Sequence, residues 1–121
     1  MSVEITNSLR SRSVIRVTGT GATTVSLANL AVNANETVSN AAICHIISSS
    51  DATGAWTIKR GGSGGTTIAV LYGSNDMPLS QYDISLANSS GSDIYVSNSG
   101  ADGTLILSVT KTATYATPLE F

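Results

Sequence analysis

From about Val14 to Thr110 the chain is a succession of short β-type runs, each cut off by Gly, Asn, Ser or Asp after a few residues. This cadence limits the fold more than any other feature. Parallel βαβ units need crossover helices, and helical periodicity is nearly absent. Its best instance, Val25 to Ala34, is short, rich in Asn and flanked by Gly and Thr. A strand over Thr23 to Leu27, with a following loop that carries Leu30 inward, fits that stretch better. Short strands punctuated by turn chemistry belong to antiparallel sandwiches and small barrels.

The remaining strands are expected at Val14–Thr18, Glu36–Ser39, Ala42–Ser48, Ala55–Arg60, Thr66–Tyr72, Gln81–Ala87, Ile94–Asn98 and Thr104–Lys111. Gly61-Gly-Ser-Gly-Gly65 has no bulk to pack and tolerates positive φ, so it reads as a hairpin loop. Alternation then sets the faces: Trp56 with Ile58, Tyr82 with Ile84 and Leu86, Leu105 with Leu107 and Val109. The expected core is Trp56, Ile58, Ile68, Val70, Ile84, Leu86, Ile94, Val96, Leu105 and Leu107. Two runs, Ile43-Cys-His-Ile-Ile47 and Ile68-Ala-Val-Leu-Tyr72, are apolar on both faces. A two-layer sandwich covers only one face of a strand, so a terminal segment or a second subunit is expected over the other.

The expected fold is an all-β, antiparallel β-sandwich of about eight strands, jelly-roll-like, with extended termini. Its parts are an N-terminal arm over residues 1–13, the sandwich over 14–111 and a C-terminal tail over 112–121. A chain of 121 residues suits one domain and buries enough surface to need no disulfide or metal. The net charge of −2 and the 12% of charged residues speak against nucleic acid as a partner. Ser and Thr exceed a quarter of the chain, a polar but uncharged surface suited to packing against other copies. Cys44 is the only cysteine, so no intramolecular disulfide is possible, and it reads as a small buried hydrophobe. The start, Met-Ser-Val-Glu-Ile-Thr, lacks a basic and apolar leader, and no run is long enough to span a membrane. Synthesis in a reducing cytoplasm is the expectation.

Reactive side chains are scarce. Gly61-Gly-Ser63-Gly-Gly65 matches the nucleophile-elbow pattern in letters, but that motif requires a following helix and here a β-run follows. His45 is the one His; alternating with Ile43 and Ile47, it reads as a core or interface residue rather than a base. Cys44 and His45 are adjacent, hence on opposite faces, a poor start for zinc. Asp51, Asp76, Asp93 and Asp102 fall in turns without the spacing of a calcium loop. Gly19-Thr-Gly-Ala-Thr-Thr24 lacks the Lys and helix of a phosphate loop. No catalytic, cofactor-binding or metal-ligating residue is assigned, and the expectation is a protein that is not an enzyme. Arg10, Arg12 and Arg16 hold half of the six Lys and Arg residues. They are either scattered solvated charges or a basic arm for an acidic protein surface.

Trp56-Thr-Ile-Lys-Arg-Gly61, Ile68-Ala-Val-Leu-Tyr-Gly73, a short loop to Leu79, and Gly103-Thr-Leu-Ile-Leu-Ser-Val-Thr-Lys111 resemble small tailed-phage virion proteins of the head decoration, or cement, type. The resemblance covers about residues 50–112. It implies a β-sandwich, often trimeric, attached to the outside of a capsid shell, with the major capsid protein and further copies of itself as partners. Localisation would be the virion surface after synthesis in the host cytoplasm. On this reading Val3, Ile5 and Leu9 anchor the N-terminal arm, while Arg10 and Arg12 face acidic shell surface; the arm adds a strand to a neighbour's sheet edge. The alternative is a carbohydrate- or receptor-binding sandwich of a phage fibre or tail, for which Trp56 and the four Tyr are the available platforms.

Overall fold

The computed structural model describes residues 1–8, 12–31, 36–51, 53–79 and 88–115. Through them run β1 (Ser2–Ser8), β2 (Arg12–Thr18), β3 (Gly21–Val25), β4 (Glu36–Ser50), β5 (Ala55–Arg60), β6 (Thr66–Tyr72), β7 (Asn75–Pro78), β8 (Ile94–Asn98) and β9 (Gly103–Tyr115). They form two antiparallel sheets, β1-β2-β9-β4-β7 and β3-β8-β5-β6. A 3-10 turn, Leu27–Leu30, follows β3 and buries Leu27 and Leu30. No helix among the described residues is long and apolar enough to cross a membrane.

The pairs β5–β6, β4–β7, β3–β8 and β2–β9 are the rungs of one long hairpin. Successive rungs lie in alternate sheets, which is the winding of a jelly roll. The tip of the hairpin is the glycine loop after β5. Gly61 and Gly62 have φ of 97° and 85°, a region costly for residues with a Cβ.

The core lies between the sheets. Trp56, Ile58, Ile94, Val96, Leu105 and Leu107 are fully buried, as their alternation predicts, together with Ile15, Val17, Ile43, Ile46 and Val109. Val70 departs from the expectation and is 46% exposed. Cross-strand partners share a face, so the inward Trp56 takes Leu71 inward with it, and Thr57 leaves Val70 outside. Ile68 sits where the register slips between Ile58 and Lys59, and packs half-buried on the core. Ile84 and Leu86, like the whole expected strand Gln81–Ala87, lie outside the described residues.

Two expected strands, Glu36–Ser39 and Ala42–Ser48, are one continuous β4 with irregularities between Val38 and Asn40 and between Ile43 and His45. The second is a bulge at Cys44. It lets Ile43 and Ile46, three residues apart, both point inward. Cys44 is only half-buried, its Sγ 3.2 Å from the Ser108 carbonyl, and His45 turns to the outer face instead of the core. β7 had no sequence signal. Its four residues pair with His45–Ser48 of β4.

The termini are drawn into the sandwich. Residues 2–8 are not a detached arm but β1, hydrogen-bonded along β2, and Arg12 and Ser13 already belong to β2. At the other end, β9 continues through Tyr115 against Glu36–Asn40, so the sandwich includes part of the expected tail. Residues 116–121 lie outside the described set.

Buried polar groups close the two ends of the sandwich. At one end the Trp56 indole donates to the Ser49 carbonyl at 2.8 Å. At the other, the buried Arg60 guanidinium donates to the carbonyls of Ala41 (2.6 Å), Ser90 (2.9 Å), Ser92 (2.7 Å) and Asn88. Burial lowers its pKa and nearby Asp93 opposes the shift.

Candidate binding surface

The sandwich has one lateral edge where β1 of the first sheet and β3 of the second stand side by side. Among the described residues β1 has only β2 as a neighbour, and β3 only β8. An edge strand carries unsatisfied backbone donors and acceptors that template another strand. Between these edges lies a cleft of about 300 Å³ lined by Val3, Ile5, Thr23, Thr24, Val25 and Asn29. Val3 is 39% exposed, and Ile5 is half-buried against the core. Two of the three expected anchors thus meet at one opening, placed there by β1 pairing rather than by an extended arm. Arg12 is exposed at the start of β2, paired with Thr110 of β9. Leu9 and Arg10 lie outside the described residues.

A second surface is the outer face of the five-stranded sheet. One row of cross-strand partners crosses all five strands: Glu4, Arg16, Ile106, Ile47 and Asp76. Its centre is apolar, with Ile47 44% exposed and Ile106 half-buried. Val14, in the neighbouring row beside Ser108 and His45, extends the apolar area. Ion pairs flank it. Arg16 meets Glu4 at 2.5 Å on one side, and His45 Nε2 meets Asp76 at 2.5 Å on the other. Exposed pairs of this kind contribute at most about 1 kcal/mol, so their effect is to fix where charge stands. The residue pattern pointed to this face only through the apolar run ending at Ile47. Ile106 gave no separate signal, because it sits between Leu105 and Leu107, which define the inward face.

The other candidates for chemistry are dispersed. Ser63 lies in the β5–β6 loop, where its carbonyl accepts from Lys59 Nζ at 2.9 Å and a strand follows. Asp51 and Asp102 line a shallow cleft with Ser49, Ser50, Gly103 and Thr104. Asp51 is held below its ordinary pKa, chiefly by the Ala101 amide, which donates to Oδ2 at 2.7 Å; Thr53 donates to Oδ1. Its oxygens are thus occupied in tying two turns together. No three His, Cys, Asp or Glu residues come together among the described residues in a group able to hold a metal ion. Trp56 is fully buried, which removes it as a sugar platform.

Compared with known proteins, the chain matches no family model, no curated protein and no solved structure.

Proposed function

We propose that this chain is a non-enzymatic structural protein that binds the outside of a phage capsid shell and stabilises it, in the manner of a decoration protein. The observation that supports this most is the β1 edge, which among the described residues has no neighbour beyond β2, with Val3 and Ile5 over the lateral cleft. An extended segment of a shell protein would pair with the β1 backbone and seat alternate side chains in the cleft. A protein that binds only where shell subunits are correctly joined stabilises that arrangement by mass action. A modest contact per copy suffices, because many copies bind one shell.

The test is co-sedimentation of the purified chain with phage capsid shells assembled from the major capsid protein of its cognate phage. Wild type should pellet with the shells. Val3→Asp, at an exposed position, should lower occupancy about tenfold while circular dichroism stays unchanged. Wild type that stays in the supernatant, or occupancy indifferent to Val3→Asp, would refute the proposal.

One observation favours the carbohydrate-binding alternative. Tyr72 is 73% exposed on the outer face of the four-stranded sheet, which also presents half-buried Tyr95 beside Lys59 and Ser97 beside Thr57. Glycan-array binding that Tyr72→Ala abolishes would favour this reading over the shell.

A further inference from the structure

We infer that two copies of this chain pair through the outer faces of their five-stranded sheets, about a twofold axis running along the strands between β9 and β4. The inference is independent of shell binding, which would use the lateral edge.

Glu4, Arg16, Ile106, Ile47 and Asp76 stand in one row across the face. Ile106 and Ile47 are its middle partners. Arg16 stands one strand beyond Ile106, and Asp76 one strand beyond Ile47. At the usual strand spacing each charge lies about 7 Å from the line between β9 and β4. A twofold rotation about that line lays Ile106 over the partner's Ile47 and Arg16 over the partner's Asp76. Both charged contacts are attractive and both apolar contacts are matched. A twofold axis running across the strands instead lays Arg16 over Arg16 and Asp76 over Asp76, which is repulsive. The charge pattern therefore selects one isologous arrangement.

Neither charge is used up within its own chain. Arg16 Nη2 bonds to one Glu4 oxygen, and a guanidinium has five donors. Asp76 Oδ1 is taken by His45, while a carboxylate has a second oxygen and further lone pairs. Most of the β9 and β4 surface around this pair allows close approach. Thr104, Ser108, Thr110 and Ser49 are short, uncharged neighbours on β9 and β4. Aligned sheets pack about 10 Å apart and roughly 30° off parallel, within reach of an Arg side chain.

The area sets the strength. Five strands of about seven residues cover roughly 550 Å² per copy, or about 1,100 Å² for the pair. That is the low end of specific interfaces, so the dimer should be reversible and concentration-dependent. It also departs from the trimer implied by the resemblance to decoration proteins, because a face that meets itself does so around a twofold axis.

Sedimentation velocity on the purified chain without any shell tests the inference separately from the proposed function. Wild type should move from monomer to dimer as its concentration rises through about 100 μM. Arg16→Asp and Asp76→Arg should each weaken association at least about tenfold by placing like charges across the interface. The double variant Arg16→Asp/Asp76→Arg should recover association to within about threefold of wild type, since the exchange restores opposite charges. Both positions are exposed, and unchanged far-UV circular dichroism checks the fold. A wild type monomeric throughout, a trimer, or a double variant no better than the single ones overturns the inference.

Discussion

The side chains of Lys111 and Glu36 are inaccessible to solvent, with Nζ 3.1 Å from Oε1. The ammonium also donates to the Leu30 carbonyl, which accepts from Ser13 Oγ at 3.3 Å. Taking two charges out of water is costly, and only close pairing with further hydrogen bonds offsets it. Lys111→Met removes the ammonium from beside a buried carboxylate and should cost about 3–5 kcal/mol at neutral pH. Lys111→Met/Glu36→Gln should cost less, because no buried charge remains. Urea denaturation of the three proteins checks both statements, and a single-variant cost below about 1 kcal/mol would contradict a buried pair. Trp56 is a contrasting case at this scale. Its alternation with Ile58 was sufficient to place it in the core, because a strand has only two faces. Alternation carries Lys111 onto the inward face of Leu105, Leu107 and Val109, but nothing local showed how a charge could be satisfied there, since its partner is 75 residues away in sequence.

Two turns, 51–54 between β4 and β5 and 99–102 between β8 and β9, lock together at one end of the sandwich. A Cβ on Gly54 would lie 2.4 Å from the Gly100 Cα, so contact this close requires glycine there. Asp51 makes the polar half of the lock, accepting from Ala101 across the gap and from Thr53 within its own turn. Its folded pKa is lowered, so its stabilising effect is fully present above the unfolded value of about 4. That effect is lost as pH falls through the folded pKa. Asp51→Asn should therefore melt at a lower temperature than wild type at pH 7, with the gap closing as pH falls below the unfolded value and on through the lowered folded one. Thermal melts over that range would check it; a gap that persists unchanged in acid would contradict the assigned role. Among the strands, β5, β6 and β8 match their expected bounds because each lies between strong turn signals. The merger of two short runs into β4 depends on bulges, and a bulge leaves no sequence mark except broken alternation, as at Ile43-Cys-His-Ile-Ile47.

For the molecule as a whole, β9 is the strand on which the larger sheet depends. It lies between β2 and β4, pairing with Arg12–Thr18 on one side and Glu36–Ser50 on the other. A chain ending before Gly103 would leave both strands without their shared neighbour and remove Leu105, Leu107 and Val109 from the core. Such a truncation should show no cooperative unfolding transition and no near-UV circular dichroism, while the full chain shows both. A truncated chain that unfolds cooperatively would place the fold's stability elsewhere. The same long-range pairing, Arg12 with Thr110, puts the chain among slowly folding β topologies.

Period-two alternation between turn residues was enough to determine an all-β sandwich and most of its inward face, because face and turn are local properties of a strand. It also marked the run that reaches Ile47 as apolar on both sides. Only the tertiary structure decided that residues 2–8 stay on their own sheet. That choice depends on an open β2 edge, created by strands distant in sequence. It also decided that Glu4, Arg16, Ile106, Ile47 and Asp76 form one row across five strands. Register between distant strands is fixed by the mutual fit of the buried faces, and a single strand's sequence carries no record of its neighbour's register.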